Sequence, residues 1–596
     1  MIQAASVVRG QFDGRRVPLS VGRIPLGRIG TVEVPDWVAN IPTTTCLVNR
    51  PNGPASCSPN VGNDTRTRPS ATQFSNYPPL YYLIVGVPTL LATGSGALYG
   101  MRFTGALVDS VLIALGLFLL ARYHPRRLML LGTMIALSPM VLFISGVVSS
   151  CGMETAAAFA AWCGGLCVVE RTEIPRALAA LTSLSFVLLI LSRPLSPINA
   201  AVMVAVLATL AGRHRSRALI REPSFRPIWI SVLVATMTAG IFLVLVGLPS
   251  LLGPPEKPPL SFIGSVRLTL RLTGDRLRQC IGLFGWLDIR VPRWVVGVWT
   301  SALVGILAYG LAASRRCRRA LPILVLAILA MPVILESPRI NTVGTYWQGR
   351  YWLLLAVGLP LVASSVEPLR IYQRARSAVF PSLRLAGFVS VGTLLIVAQV
   401  GAFLTALDRY EGLGAKAGSP VKWMPPGGTI LVVSLFITGQ ILLVGFLTWS
   451  YRDQERLSMT GLRRVRGVHS EPPEVTAAVP VERDGGLPFG RLQGPQGALL
   501  AIPSRAMIDL SRPGSVSGRQ PPCPRSSSWC SYAATMASGA EEWVVALCWS
   551  SPLPPPSSAT PAPFPRPSNP VPLAWSPRWP RSSTYPRTRY TPTSWR

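Results

Sequence analysis

A chain of 596 residues that is 49% hydrophobic and only 14% charged falls well short of the roughly 25% charged residues usual in soluble proteins. Together with a mean hydropathy of +0.40, this argues against an ordinary water-soluble fold and for a bilayer as solvent. The formal net charge of +32 is carried almost wholly by arginines at the ends of apolar blocks, with Lys257, Lys416 and Lys422 the only lysines, which speaks for membrane topology rather than a nucleic-acid surface.

Residues 1–78 read as an extracytoplasmic loop. No basic n-region leads into an apolar h-region, so a signal peptide is not expected. Pro42, Pro51-Asn52-Gly53-Pro54 and the stretch from Asn60 to Asp64 mark it as extended and turn-rich. Cys46 and Cys57 share this loop, and outside the cytoplasm a disulfide would close the short segment between them; two free thiols are the alternative. The ten cysteines contain no CxxC pair and there are three histidines, so a structural zinc is not expected. The loop ends in Asn76-Tyr77-Pro78-Pro79-Leu80-Tyr81-Tyr82. The stretch 79–91, interrupted by Pro88, is too short to cross a bilayer and fits an interfacial helix.

From there to residue 450 apolar blocks follow one another, which predicts an all-α polytopic membrane domain over 79–450. About eleven transmembrane helices are expected, at 97–121, 128–149, 153–170, 177–193, 198–212, 228–250, 294–314, 320–336, 351–366, 385–407 and 429–450. The blocks 153–170 and 198–212 are the weakest, being short or rich in small residues. Arginines gather in alternate connections: Arg122/Arg126/Arg127, Arg171/Arg176, Arg213 to Arg226, Arg315 to Arg319, Arg370 to Arg384, and from Arg452 onward. The turns near Ser150 and Leu195 carry almost none. The positive-inside rule then puts the arginine-rich set in the cytoplasm and 1–77, 251–293, 337–350 and 408–428 outside a bacterial plasma membrane. A polar segment that leads the chain on the outside predicts a twelfth, N-terminal helix ahead of this sequence. Residues 451–596 read as a cytoplasmic low-complexity tail, rich in proline, serine and arginine, either disordered or the frameshifted end of a high-GC gene.

Ionisable residues inside apolar spans are costly and so draw attention. Arg102 and Asp109 lie seven apart, about two helical turns, and are expected to form an intramembrane polar pair or to line a polar cavity. Glu154 reads as a solvated carboxylate at a helix start, and His124, among arginines, as a loop residue. Arg193, in Ser192-Arg193-Pro194-Leu195-Ser196-Pro197, sits at an outer turn, where it meets a lipid phosphate or snorkels. The densest constellation is Tyr346-Trp347-Gln348-Gly349-Arg350-Tyr351-Trp352. Its arginine offers a fork suited to phosphate, and its aromatics suit a sugar face or the interfacial belt. Asp275 and the segment Phe284-Gly285-Trp286-Leu287-Asp288 add carboxylates on the same side. No GxSxG, P-loop or HExxH motif occurs, so a soluble-type hydrolase or nucleotide mechanism is not expected.

Six motifs fall in a telling order. They are Asn76-Tyr77-Pro78-Pro79-Leu80-Tyr81-Tyr82, Ser138-Pro139-Met140 with Gly152-Met153-Glu154, Arg193-Pro194-Leu195-Ser196-Pro197, Gly285-Trp286-Leu287-Asp288, Gln348-Gly349-Arg350-Tyr351 and Trp423-Met424-Pro425-Pro426-Gly427-Gly428. In that order they resemble the actinobacterial predicted membrane proteins of domain of unknown function family 2142, over about residues 1–450. The family is similar, at a distance, to multi-spanning glycosyltransferases of the C type, which take sugars from polyprenyl-phosphate donors on the outer face. In those enzymes an acidic residue soon after the first helix acts as base or metal ligand. Family members carry an Asp-Glu-Pro-like stretch followed by His ahead of the segment that Met1-Ile2-Gln3-Ala4-Ala5 continues, and this chain lacks it.

The resemblance implies sugar transfer from a polyprenyl phosphate to a glycan acceptor in cell-envelope assembly. Arg350, Gln348, Tyr346 and Arg193 would hold the lipid phosphate and its sugar, and Asp288 or Asp275 would meet the acceptor or a divalent metal. A lipid-carrier flippase with Arg102 and Asp109 along its path is one alternative. An inactive truncated product is another.

Overall fold

The computed structural model describes residues 1–21, 24–41, 46, 54–58, 61–124, 127–247, 258–285, 287–365, 381–412 and 423–468. The breakers at Pro42, Pro51 to Gly53 and Asn60, the indole of Trp286, Arg126, the connection 370–380 and the tail from residue 469 lie outside the described residues.

The N-terminal segment corrects the expectation of an extended, turn-rich loop. After α1 (Ile2–Val7), the strands β1 (Arg15–Val21), β2 (Ile24–Pro35) and β3 (Thr67–Thr72) form an antiparallel sheet in the order β1-β2-β3. Arg15 pairs with Thr31 on one side of β2, and Gly30 with Thr72 on the other. The cause is a short period-two alternation: Val32 and Val34 point inward while Glu33 stays exposed. Those valines pack with Trp37 and Val38 of α2 (Asp36–Ala39), Ala5 of α1 and Ala97, which fastens the sheet to the first long helix. Cys46 and Cys57 are disulfide-bonded beside it, with Cα atoms 6.1 Å apart.

The stretch 79–91 forms two short helices, α3 (Leu80–Gly86) and α4 (Pro88–Leu91), split at Val87 where Pro88 starts anew. Then come α5 (Gly94–Tyr123), α6 (Arg127–Ala136), α7 (Pro139–Ser145), α8 (Ser150–Glu170), α9 (Arg176–Ile190), α10 (Ser196–Arg221) and α11 (Arg226–Val246). Two short helices, α12 (Phe262–Arg271) and α13 (Thr273–Gly282), and a two-stranded hairpin, β4 (Leu283–Phe284) and β5 (Ile289–Arg290), precede α14 (Arg293–Ala313). The chain continues through α15 (Cys317–Leu335), α16 (Ile340–Val343), α17 (Leu353–Ala356) and α18 (Gly358–Ser364) to α19 (Pro381–Glu411) and α20 (Thr429–Val468). Among the described residues eight helices are long and apolar enough to cross a membrane, or nine if α6 and α7 are one bent span. The expected spans 177–193 and 351–366 are present as the shorter apolar stretches Arg176–Ile190 and Leu353–Ser364.

One of the two blocks that looked weakest in the sequence, 153–170, is the centre of the bundle. In α8, 19 of the 21 residues are buried, with α5, α7, α9, α10, α17 and α18 packed around it. Its sequence, SCGMETAAAFAAWCGGLCVVE, is poor in bulk because neighbours approach its backbone closely. The approach is mutual. A Cβ on Gly116 of α5 would lie 2.6 Å from the Phe159 ring, and one on Gly358 would lie 2.5 Å from the Trp162 ring. At 21 residues α8 is about 31 Å long, enough for a hydrocarbon core of about 30 Å.

The expected span 128–149 is broken instead. α6 and α7 meet at 59°, because Pro139 cannot continue the hydrogen-bond ladder of α6. Backbone groups freed at membrane depth need partners inside the protein. The Trp299 Nε1 of α14 donates to the Ile135 carbonyl at 3.0 Å, and the Gln399 Nε2 of α19 to that of Leu137 at 3.1 Å. Ser138 Oγ donates to the Cys280 carbonyl at 3.1 Å.

The two ends of α8 gather different connections. Near Ser150 lie Tyr77, Tyr82, Arg193 and Tyr351. At Glu170 and Arg171 lie Tyr123, His124 and Arg215, with Arg171 Nη1 donating to the Tyr123 carbonyl and Arg215 Nη2 to that of Arg171. His124 is buried and 2.9 Å from Glu170, so it is not the solvated loop residue its arginine neighbours suggested. Arg171 and Arg215 thus sit at the end of α8 opposite to the turns near Ser150 and Arg193.

The partners at the break give a test. Trp299→Phe and Gln399→Leu should each leave a buried carbonyl unpaired and cost about 1–3 kcal/mol. A lowered melting temperature in detergent, with the oligomeric profile unchanged, checks this.

Candidate functional site

Four of the six motifs meet at the Ser150 end. Pro79 and Pro197 open helices, and each leaves the residues just before it in a fixed turn. Asn76 pins the first turn by donating from Nδ2 to the carbonyls of Val246 and Gly247, at 3.0 and 3.2 Å. The turn between α9 and α10 lowers Arg193 onto the first turn of α8. There Arg193 Nη1 donates to Glu154 Oε2 at 3.0 Å, and Ser196 Oγ donates to Glu154 Oε1 at 2.7 Å. Glu154 is 1% exposed, which corrects its reading as a solvated helix-start carboxylate. The reason is the central place of α8: its first turn lies under the 191–196 turn and the Tyr351 segment rather than facing water.

Aromatic rings complete the centre. The Arg193 guanidinium lies 4.9 Å from the Tyr351 ring centroid and 5.8 Å from that of Tyr77. Arg350 lies 5.7 Å from the same Tyr351 ring, and Trp347 meets Tyr351 edge-on. Burial raises the Tyr77 phenol above its ordinary pKa while Arg193 pulls the other way, so this ring stays a neutral donor. The charges do not cancel. Arg193 is neutralised by Glu154, whereas Arg350 makes no ion pair or hydrogen bond among the described residues and its Nε is buried without a partner. Gln348 Oε1 and the Trp347 and Trp352 Nε1 atoms are also buried and unpartnered. A half-buried cation among aromatic faces and unused polar atoms is suited to an anion carrying a polar ring.

The segment bearing Arg350 is held by a pair of residues that sequence reading missed. Arg276 of α13 and Glu336, just after α15, form a buried ion pair at 2.6 Å. Glu336 Oε1 also accepts the backbone N–H groups of Tyr346 and Trp347, at 2.8 and 2.7 Å. Tyr346 spends its hydroxyl on the Leu335 carbonyl at 2.7 Å, which makes it part of this scaffold. Gln279 Oε1 accepts from Gly349 N at 2.8 Å, and Gly349 lies so close to the Arg276 carbonyl that a Cβ would not fit. In the sequence Glu336 reads as an interfacial carboxylate at the end of a span and Arg276 as one of several arginines. Nothing local distinguishes them.

The remaining candidates lie apart from this centre's contacts. Asp275 stands on the exposed face of α13, 3.2 Å from Arg278. Asp288 is partly buried and 3.2 Å from Arg409 of α19. Arg102 and Asp109 do not form the expected polar pair. Asp109 is buried against Gly152 of α8, with Oδ1 unpartnered, while Arg102 is exposed. Seven residues amount to about 10 Å of rise, too far for an ion pair unless the two side chains run toward each other. Among the described residues no three His, Cys, Asp or Glu side chains come together to hold a metal ion.

The fold and this end of the bundle define a multi-pass helical membrane protein with a cluster of arginines and aromatic rings at one end. The chain belongs to the family described as "Predicted membrane protein (DUF2142)", which matches residues 38–359. No curated protein matches. Among solved structures the chain is similar to ArnT from Cupriavidus metallidurans in the apo state, at 12% identity and a TM-score of 0.33, covering 64% of this chain and 67% of that one. It is likewise similar to the same protein bound to undecaprenyl phosphate, at 13% identity and a TM-score of 0.32, covering 67% and 71%.

Breaking the Arg276–Glu336 pair from one side leaves a buried carboxylate uncompensated. Arg276→Met should lower stability by about 3–5 kcal/mol, and Arg276→Lys by less. Thermal unfolding of the purified variants measures both.

Proposed function

We propose that this protein binds a polyprenyl-phosphate-linked sugar at the Arg193–Arg350 centre and transfers that sugar to a glycan acceptor at the outer face of the bacterial plasma membrane. The observation that carries the reading is the uncompensated charge. Arg350 is half-buried over Tyr351 with no anionic partner among the described residues, beside an Arg193 already neutralised by Glu154. A half-buried cation gains most where something anionic completes it. A phosphate suits the guanidinium fork, and the Tyr77, Tyr351 and Trp347 rings suit the face of a sugar. Gln348 Oε1 is available to a sugar hydroxyl.

Of the two carboxylates, Asp275 is assigned to the acceptor. It is exposed, on the helix that supports Gly349, whereas Asp288 is partly buried; each lies 3.2 Å from an arginine, Arg278 and Arg409 respectively. A lipid-carrier flippase is the alternative reading, with the exposed Arg102 and the buried Asp109 along its path.

Arg350→Ala should reduce transfer from a lipid-phosphate sugar in proteoliposomes by tenfold or more, about the worth of a charge-assisted hydrogen bond, while melting stays near wild type. Arg350→Lys should keep part of the activity. Unchanged transfer by the alanine variant would remove Arg350 from the site.

A further inference from the structure

A second feature, away from the Arg193 centre, is a lateral groove of about 760 Å³ between α5, α7, α19 and α20. Its walls are aromatic: Phe143 stacks on Phe284 at 4.6 Å, and Phe403 of α19 on Phe436 of α20 at 4.1 Å. Among the described residues that line it, Arg102 is the one charged side chain, near Tyr410. Arg102 is exposed and makes no ion pair or hydrogen bond among the described residues. It lies eight residues into α5 from Gly94, about 12 Å along the axis, on a helix whose neighbouring Tyr99 and Phe103 are also exposed.

An arginine on the apolar flank of a membrane helix is costly unless an anion meets it. Ser58 and Ser95 line the groove together with the apolar Leu98, Phe143, Phe403 and Phe436. We infer that the groove holds one glycerophospholipid, with its phosphodiester on the Arg102 guanidinium and an acyl chain against Phe403 and Phe436. A free phosphate would leave the rings uncovered, and a neutral lipid would leave the charge unanswered. A phospholipid satisfies both, and it is the molecule in which the helices are dissolved. The inference stands apart from the sugar-transfer reading, which concerns Arg350.

Native mass spectrometry of the delipidated full chain, titrated with phosphatidylglycerol, tests it. Wild type should retain one phosphatidylglycerol per chain. Arg102→Gln should weaken that retention by about tenfold or more, the worth of one charge-assisted contact. Ser95→Trp, which puts bulk into the groove from an exposed lining position and keeps the charge, should weaken it too. Diacylglycerol should bind wild type and Arg102→Gln alike, and Arg350→Ala should leave phosphatidylglycerol retention unchanged. Equal retention by wild type and Arg102→Gln would overturn the assignment. So would a polyprenyl phosphate that displaces phosphatidylglycerol from wild type but not from Arg102→Gln.

Discussion

Close approach around α8 is the constraint on which the other features rest. Helices in a bilayer gain little from hydrophobicity, because lipid tails are as apolar as leucine, so packing depth has to supply their association. α8 provides depth through its run of alanines, cysteines and glycines, and α5, α9 and α10 close against it. This puts the first turn of α8 in the middle of one end of the bundle. Glu154 arrives there buried, where Arg193 and Ser196 can reach it from the next turn.

The second rule is that polar groups at depth must find partners within the chain. The break at Ser138-Pro139 frees carbonyls that Trp299 and Gln399 meet from two other helices. The stretch 344–348 lacks regular structure, yet Glu336 takes two of its backbone N–H groups and Arg276 balances the charge. In both places long-range side chains hold irregular backbone near the functional end. Irregularity there is thus compatible with a rigid presentation of Gln348 and Arg350.

Charge balance then separates scaffold from site. Arg276 with Glu336, Arg193 with Glu154 and Arg409 with Asp288 are all paired. Arg350 and Arg102 are not paired among the described residues, one lying over the Tyr351 ring and the other lining the groove beside α5. Cations that the protein leaves unanswered are the places where an anion gains most by binding.

The sequence by itself determined the class and the layout. Apolar runs of about twenty residues and alternating arginine clusters specify a polytopic helical bundle, because a bilayer admits little else and each span's length and flanking charge are local properties. Arg193, Gln348 and Arg350 were legible as candidates for the same reason: a charge or polar cluster beside an apolar run stands out locally. Packing was not legible. The small residues of α8 looked like a weak span and proved to be the core, and the alternation at Val32 and Val34 was hidden between glycines and prolines. Only the tertiary structure decided that Glu154 is buried with Arg193, that Arg276 meets Glu336 across sixty residues, and that Arg102 and Asp109 part company. Burial and partnership depend on which helices touch, and that is a property of the whole bundle rather than of any one stretch of chain.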